Sequence, residues 1–299
     1  MKKFLVLGAT ILASWAFFRQ IGKWIVLRPN VEKAVPSLPK ADEEFFARNS
    51  EGHDIAAWWY KGNPGSGTVL LCHGFGSRHE KMAEIVAFLR KAGYAVLLLD
   101  FRAHGKSGGH YSSIGLLEGD DIASVLSEAE RRGLLPSDSP LAAFGCSMGA
   151  AALVNSARRL PRIGAFILES MYYDFRKAAA NHFKASFGIP DCLFIDAVIC
   201  QISHESGYSF YQSRPAEKIK EVFPRPILLI HDTRDTQVLS EDFDGVVRNA
   251  PWAKVLTFQG APHVGAQRLD PGRFEREFLD FLVSSAKFPP SPGAAAEGK

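Results

Sequence analysis

From Glu43 onward the chain alternates short, nearly unbroken apolar runs with longer amphipathic stretches. The runs are Thr68 to Cys72, Ala95 to Leu99, Leu141 to Phe144, Ala165 to Leu168, Pro226 to Ile230 and Val255 to Phe258. Unbroken hydrophobicity over roughly four to eight residues is what a strand covered on both faces requires, whereas a strand with one wet face alternates. Lys81 to Lys91, Asp120 to Arg132, Ala150 to Leu160 and Arg273 to Leu282 have helical length and spacing. Repeated strand and helix alternation predicts an α/β fold, a mostly parallel twisted sheet with helices on both faces. Ahead of it, Phe45 to Arg48 and Ile55 to Lys61, separated by Asn49-Ser50-Glu51-Gly52, predict an antiparallel hairpin. The alternation breaks once, between Glu169 and Arg225, which predicts a short cap insert at about residues 171–218.

The N-terminus departs from this pattern. Lys2 and Lys3 precede Phe4 to Phe18, fifteen residues without a charge, and Trp24 to Leu27 resume the apolar character after Arg19, Gln20 and Lys23. That run matches the longest secretory apolar cores and falls short of the ~20 residues of an unassisted span. Residues 1–28 therefore read as a hydrophobic anchor or interfacial helix. A cleaved signal, with Ser14-Trp15-Ala16 as its small-x-small site, and a buried helix are the alternatives. An anchor implies membrane association through this single segment, with the globular domain on the extracytoplasmic side; a cleaved signal implies secretion. Pro29, Pro36 and Pro39 mark residues 29–42 as an extended linker, residues 43–286 form the globular domain, and the Pro, Gly and Ala rich tail 287–299 reads as disordered.

Charge narrows the partners. Thirty-five Lys and Arg against 32 Asp and Glu leave a net charge of +3, and the basic residues are scattered, so nucleic acid is not an expected partner. The cysteines, Cys72, Cys146, Cys192 and Cys200, show neither CxxC nor Cys/His ligand spacing, so no metal and no redox dithiol is expected. Cys72 and Cys146 sit in apolar runs as buried thiols, and a bridge between Cys192 and Cys200 is left open.

The chemistry concentrates at the C-terminal ends of the apolar runs. Gly145-Cys146-Ser147-Met148-Gly149 follows Leu141 to Phe144 and opens a small-residue helix. A GxSxG sequence is weak alone, but a sharp strand-to-helix turn is the context in which it exposes a nucleophilic serine. His73-Gly74-Phe75-Gly76-Ser77 follows an earlier strand, which makes the backbone N–H groups of Phe75 and Met148 the expected oxyanion donors and His73 a loop-structuring residue. Gly260-Ala261-Pro262-His263-Val264 follows the last strand and supplies the general base, His263. The orienting acid is expected after the penultimate strand, where Ile230-His231-Asp232-Thr233-Arg234-Asp235 offers Asp235 in the loop proper, with Asp232 at the strand end as the alternative.

In this order, the strand-HGFGS, LLLDFRAHGKSGG, GCSMGA, IHDTRDTQV and GAPHVG segments resemble the α/β-hydrolase superfamily from about Glu43 to Leu282. The hydrophobic N-terminus and Gly115-Leu116-Leu117-Glu118-Gly119-Asp120-Asp121 are most similar to the membrane-anchored BEM46-like and prolyl-oligopeptidase-like branches. The resemblance implies an α/β-hydrolase fold, a Ser147, Asp235, His263 triad, and Phe75 and Met148 as oxyanion donors. Two departures stand out: the usual HGxxD is His231-Asp232-Thr233-Arg234-Asp235, and the usual RGHG is Arg102-Ala103-His104-Gly105.

A serine hydrolase forming an acyl-enzyme needs no cofactor. Aromatic residues of the insert, Tyr172, Tyr173, Phe175, Phe183, Phe187, Phe194, Tyr208, Phe210 and Tyr211, read as cap core or as lining for an acyl or aromatic group. A small-molecule ester or acyl substrate, cleaved by a carboxylesterase or lipase-like activity, is therefore expected. A serine peptidase or thioesterase on the same fold is the alternative, and a non-catalytic binding protein is the rival of another class.

Overall fold

In the computed structural model, which describes residues 16, 17, 19, 20 and 37–285, eight strands form one sheet. They are β1 (Glu43–Arg48), β2 (Asp54–Tyr60), β3 (Thr68–Cys72), β4 (Ala95–Leu99), β5 (Leu141–Cys146), β6 (Ala165–Glu169), β7 (Ile227–Asp232) and β8 (Lys254–Phe258). The spatial order is β1-β2-β4-β3-β5-β6-β7-β8; the first two neighbour pairs are antiparallel and the rest parallel. The longer helices are α1 (Ala83–Lys91), α2 (Glu118–Arg131), α3 (Met148–Asn155), α4 (Phe175–Phe187), α5 (Leu193–Ser206), α6 (Ser240–Asn249) and α7 (Pro271–Ser285).

The sheet has a core on each side because the inner strands carry unbroken apolar runs whose successive residues face opposite sides. Leu70, Leu97, Ala143, Phe166 and Leu229 face a cluster that includes Ile122 and Val125 of α2 and the Ala150–Val154 stretch of α3. Their neighbours Val69, Leu71, Val96, Leu98, Phe144, Ile167 and Leu228 face Val86 and Leu89 of α1 and Phe274 and Phe278 of α7. Edge strand β1 behaves differently, burying only Phe45 and Ala47. A half-wet strand is stabilised by one face alone, which is why its sequence alternates.

Strands β5, β6 and β7 each run past their apolar stretch to include Gly145-Cys146, Glu169 and His231-Asp232. Helix α3 is shorter than its periodicity suggests. It ends at Asn155, whose amide donates to Gly115 O at 2.8 Å, and a single 3-10 turn, Ala157–Arg159, completes the segment.

Between β6 and β7 lie α4 and α5. Asp174 caps α4 by accepting from Lys177 N at 2.8 Å, and Gly188 and Gly207 end the two helices at φ 69 and 77, where a Cβ would be strained. Tyr172, Phe175, Phe183 and Phe210 are buried here, Tyr173, Phe194 and Tyr211 are half-buried, and Phe187 is 55% exposed. Lys177 binds Asp242 Oδ1 at 2.5 Å, and Asn181 Nδ2 donates to Gln237 O at 3.0 Å, fastening α4 to the segment after β7. Cys72 and Cys146 are buried free thiols, and Cys192 and Cys200 are exposed and unbridged.

Residues 16, 17, 19 and 20 are helical, and Arg19 Nε lies 2.7 Å from Glu205 Oε1 on α5. Among the described residues no helix is long and apolar enough to cross a membrane. Most of the expected anchor and linker, and the tail 287–299, lie outside the described residues.

Candidate active site

Ser147 occupies the turn between β5 and α3 at φ 49 and ψ −116, a conformation that costs a non-glycine residue on the order of 1–3 kcal/mol. The flanking glycines make the turn possible. A Cβ on Gly149 would stand 2.2 Å from Cys72 O, and one on Gly145 would stand 2.7 Å from Ala150 N, so β3 and α3 could not approach. Ser147 N donates to Glu169 O at 2.9 Å, and the first turn of α3 then points unsatisfied N–H groups toward the serine.

His263 follows β8, and its Nε2 lies 2.9 Å from Ser147 Oγ. On the other side of the ring, Nδ1 lies 2.7 Å from Asp235 Oδ2. An ionised carboxylate only accepts, so Nδ1 carries the proton and Nε2 presents a lone pair to the serine hydroxyl. Asp235 is 5% exposed, and its second oxygen accepts from Gln237 N at 2.8 Å and Val238 N at 2.9 Å. Burial alone would raise its pKa; the hydrogen bond and charge of His263 and the two amides outweigh it and hold the carboxyl below its usual range. The acid and base loops are also stitched together. Arg234 N donates to Ala261 O at 2.8 Å, and Gly260 N donates to Oγ1 of Thr233 at 2.8 Å.

Asp232 does not touch His263. It is fully buried at the end of β7, accepting from Ser170 Oγ at 2.8 Å and Gly265 N at 3.2 Å.

The loop after β3 is shaped by two histidines. His73 Nε2 accepts from Phe101 N at 3.0 Å, so Nδ1 carries the proton and donates to Gly74 O at 2.7 Å. Because the peptide is planar and trans, turning Gly74 O toward His73 turns the N–H of Phe75 the opposite way. Burial, with the neighbouring His104 second, pushes His73 down to about 4, which keeps it neutral at pH 7. His104 Nε2 accepts from Gly76 N at 3.2 Å, its Nδ1 pairs with Arg102 O at 2.8 Å, and its ring packs edge-on against Phe75. Among the described residues the N–H groups of Phe75 and Met148 find no acceptor in the chain. His231 instead stacks on Phe243, with ring centroids 4.3 Å apart, and its Nε2 pairs with Ser240 Oγ at 3.1 Å.

Elsewhere, His79, Glu80 and Asp100 each bring one potential ligand atom within 4.8 Å of the others. The group is closed by its own contacts: Asp100 accepts from His79 N and Lys106 N, both at 2.8 Å, and Arg78 Nε lies 3.1 Å from Glu80 Oε2.

Glu169 and Ser170, at the end of β6, escape a reading by motif. A carboxylate ending the apolar run Ala165 to Leu168 is the one signal that marks them.

The sheet order and the helices around it are those of the α/β-hydrolase fold. Residues 63–193 match the family model described as serine aminopeptidase, S33. The esterase Pf2001 of Pyrococcus furiosus superposes with a TM-score of 0.69 at 24% identity, over 86% of this chain and 100% of that one. Est1E of Butyrivibrio proteoclasticus, solved with ferulic acid bound, gives 0.59 at 16% identity, over 80% and 99%. At these identities the solved structures establish the fold. By sequence the chain is 26% identical to the uncharacterized protein YfhR of Escherichia coli K12 over 252 residues, 81% of this chain and 80% of that protein. It is 25% identical to the uncharacterized protein YqkD of Bacillus subtilis 168 over 200 residues, 65% of this chain and 63% of YqkD.

Proposed function

We propose that the chain is a serine hydrolase that cleaves the ester bond of a small-molecule acyl substrate. The observation that carries this reading is the unbroken chain Asp235 Oδ2, His263, Ser147 Oγ, with separations of 2.7 and 2.9 Å, on a strained turn. His263 takes the proton of Ser147 as Oγ attacks the carbonyl carbon, and the imidazolium is stabilised by Asp235. Negative charge then develops on the carbonyl oxygen, where the N–H groups of Phe75 and Met148 are available as donors. His263 returns the proton to the leaving oxygen, and water hydrolyses the acyl-enzyme by the same route in reverse. Every step uses side chains and amides of this chain.

Esters are favoured over peptides by the esterases among the structural relatives and by the aromatic residues Phe175, Phe183 and Phe187 of α4. Peptide cleavage is the second reading, favoured by the serine aminopeptidase description of the matching family model. Hydrolysis of p-nitrophenyl esters from acetate to palmitate, set against amino-acid p-nitroanilides, decides between them. Turnover of the anilides alone would reverse the assignment.

The membrane-anchored, prolyl-oligopeptidase-like branch and an extracytoplasmic site remain part of this proposal, supported by the apolar run Phe4 to Phe18. Fractionation of the full chain and of a form lacking residues 1–28 tests them. A full chain found wholly in the soluble fraction with its N-terminus intact contradicts the anchor.

A further inference from the structure

Behind the histidine loop, three side chains from the ends of β6 and β7 engage three successive peptide groups. Ser170 Oγ accepts from Val264 N at 3.1 Å, Asp232 Oδ2 from Gly265 N at 3.2 Å, and Glu169 Oε1 from Ala266 N at 3.2 Å. The Ser170 hydroxyl in turn donates to Asp232 Oδ2 at 2.8 Å, which ties the group together. We propose that Glu169, Ser170 and Asp232 are the positioning residues of His263, holding the backbone that carries the base by its three following amides. The inference rests on the hydrolase reading above. None of the three touches the reacting atoms; each acts through the loop.

The backbone itself requires such a hold. Val264 is β-branched and lies at φ 51, and its partner Ser170 lies at φ 50. Positive φ is a genuine outlier for a β-branched residue and persists only where the surroundings over-determine it. Three amide bonds in succession supply that constraint. Glu169 reaches both halves of the site, since its main-chain oxygen accepts from Ser147 N at 2.9 Å while its side chain holds Ala266.

The pair Glu169 and Asp232 completes itself with one proton. Asp232 Oδ1 is buried and, among the described residues, receives no hydrogen bond from a backbone N–H or a hydroxyl. Leaving such an oxygen unpaired is costly, and two adjacent buried carboxylates cannot both stay ionised. A protonated Glu169 resolves both problems: its O–H donates to Asp232, and its other oxygen still accepts from Ala266. Burial first, then the charges of Asp232 and Asp235, push the Glu169 carboxyl well above its ordinary range. The titratable groups facing the pair are Asp235, His263 and the Cys146 thiol.

The test uses the full chain and a short-acyl p-nitrophenyl ester, with kcat and KM measured for the wild type, Glu169→Ala, Glu169→Gln and Ser170→Ala. A displaced base costs up to about 100-fold, so Glu169→Ala is expected to lower kcat by about 10- to 100-fold with KM within about twofold. Glu169→Gln keeps an acceptor for Ala266 and a donor for Asp232, and is expected to restore kcat to within about threefold of wild type. A purely structural loss would not separate kcat from KM, nor follow the hydrogen-bonding capacity of residue 169. Ser170→Ala removes one amide acceptor with little change in volume, should cost about tenfold, and serves where Glu169→Ala fails to fold. Wild-type kcat in Glu169→Ala or Ser170→Ala, or a Gln variant as impaired as the Ala variant, overturns the proposal. Labelling of the wild type with a fluorophosphonate keeps the two readings apart. An unlabelled, inactive wild type overturns the hydrolase reading and this inference with it; a labelled, active wild type with indifferent variants overturns this inference alone.

Discussion

Ser147 and His263 are 116 positions apart in the chain, yet their Oγ and Nε2 atoms lie 2.9 Å from one another. The strands that carry them, β5 and β8, are not neighbours, because β6 and β7 stand between. All four are parallel, so their C-terminal ends share one edge of the sheet, and the loops leaving that edge converge. The site therefore depends on the loops after β7 and β8 leaning back across β6, and the hydrogen bonds beneath them are as informative as the triad itself.

Two neighbouring aspartates should respond unequally. Asp235 alone contacts the imidazole, at 2.7 Å, and a neutral amide there favours the wrong tautomer, so Asp235→Asn should lower kcat by about 10⁴-fold. Asp232→Asn disturbs only the bed of the loop and should cost about 10- to 100-fold. Steady-state kinetics on one ester settles the order, and equal losses would transfer the orienting role.

The proton on Glu169 has a thermodynamic signature. A group whose pKa is raised on folding contributes stability below its unfolded value, about 4.5, that is lost as pH rises toward its folded value. Glutamine at 169 does not titrate. The melting temperature of Glu169→Gln relative to wild type should therefore increase as the pH rises above about 4.5, as followed by circular dichroism. A difference that is flat or falls with pH would mean that Glu169 is ionised in the fold.

Backbone strain separates two small residues. Ala103 stands at φ 59 where the family pattern has glycine, so Ala103→Gly should leave the fold intact and stabilise it by up to about 1 kcal/mol in urea denaturation. Gly149→Ala should do the reverse, because its Cβ would meet Cys72 O at 2.2 Å, and a loss above about 3 kcal/mol or failure to fold is expected. A destabilised Ala103→Gly would show that the methyl packs better than the backbone is strained.

Much of this was legible in the sequence, for a physical reason. Strands buried on both faces must be apolar throughout, so Thr68–Cys72 and Ala95–Leu99 are found with their observed bounds from hydropathy alone. The same rule fails at the strand ends that bear chemistry. Glu169 and Asp232 continue β6 and β7 as buried carboxyl groups, which apolar patterning cannot recognise as strand. The motif order brought out Ser147, Asp235, His263, Phe75 and Met148, because each sits just past an apolar run. Ser170 and Glu169 were missed because their role depends on which strands are adjacent, and adjacency is a property of the sheet order rather than of spacing along the chain. The helix after Ser147 was read too long because Asn155 and Ser156 do not interrupt the periodicity; the side-chain bond of Asn155 to Gly115 O is tertiary.

The central claim is that Ser147 is an activated nucleophile, and the direct measurement is ester hydrolysis together with fluorophosphonate labelling, each compared between wild type and Ser147→Ala. The expected result is a labelled, active wild type and an unlabelled variant, folded by circular dichroism, whose turnover is lower by about 10⁴- to 10⁶-fold. A Ser147→Ala variant that keeps turnover within about tenfold of wild type, or a wild type whose label maps to another residue, would contradict the account.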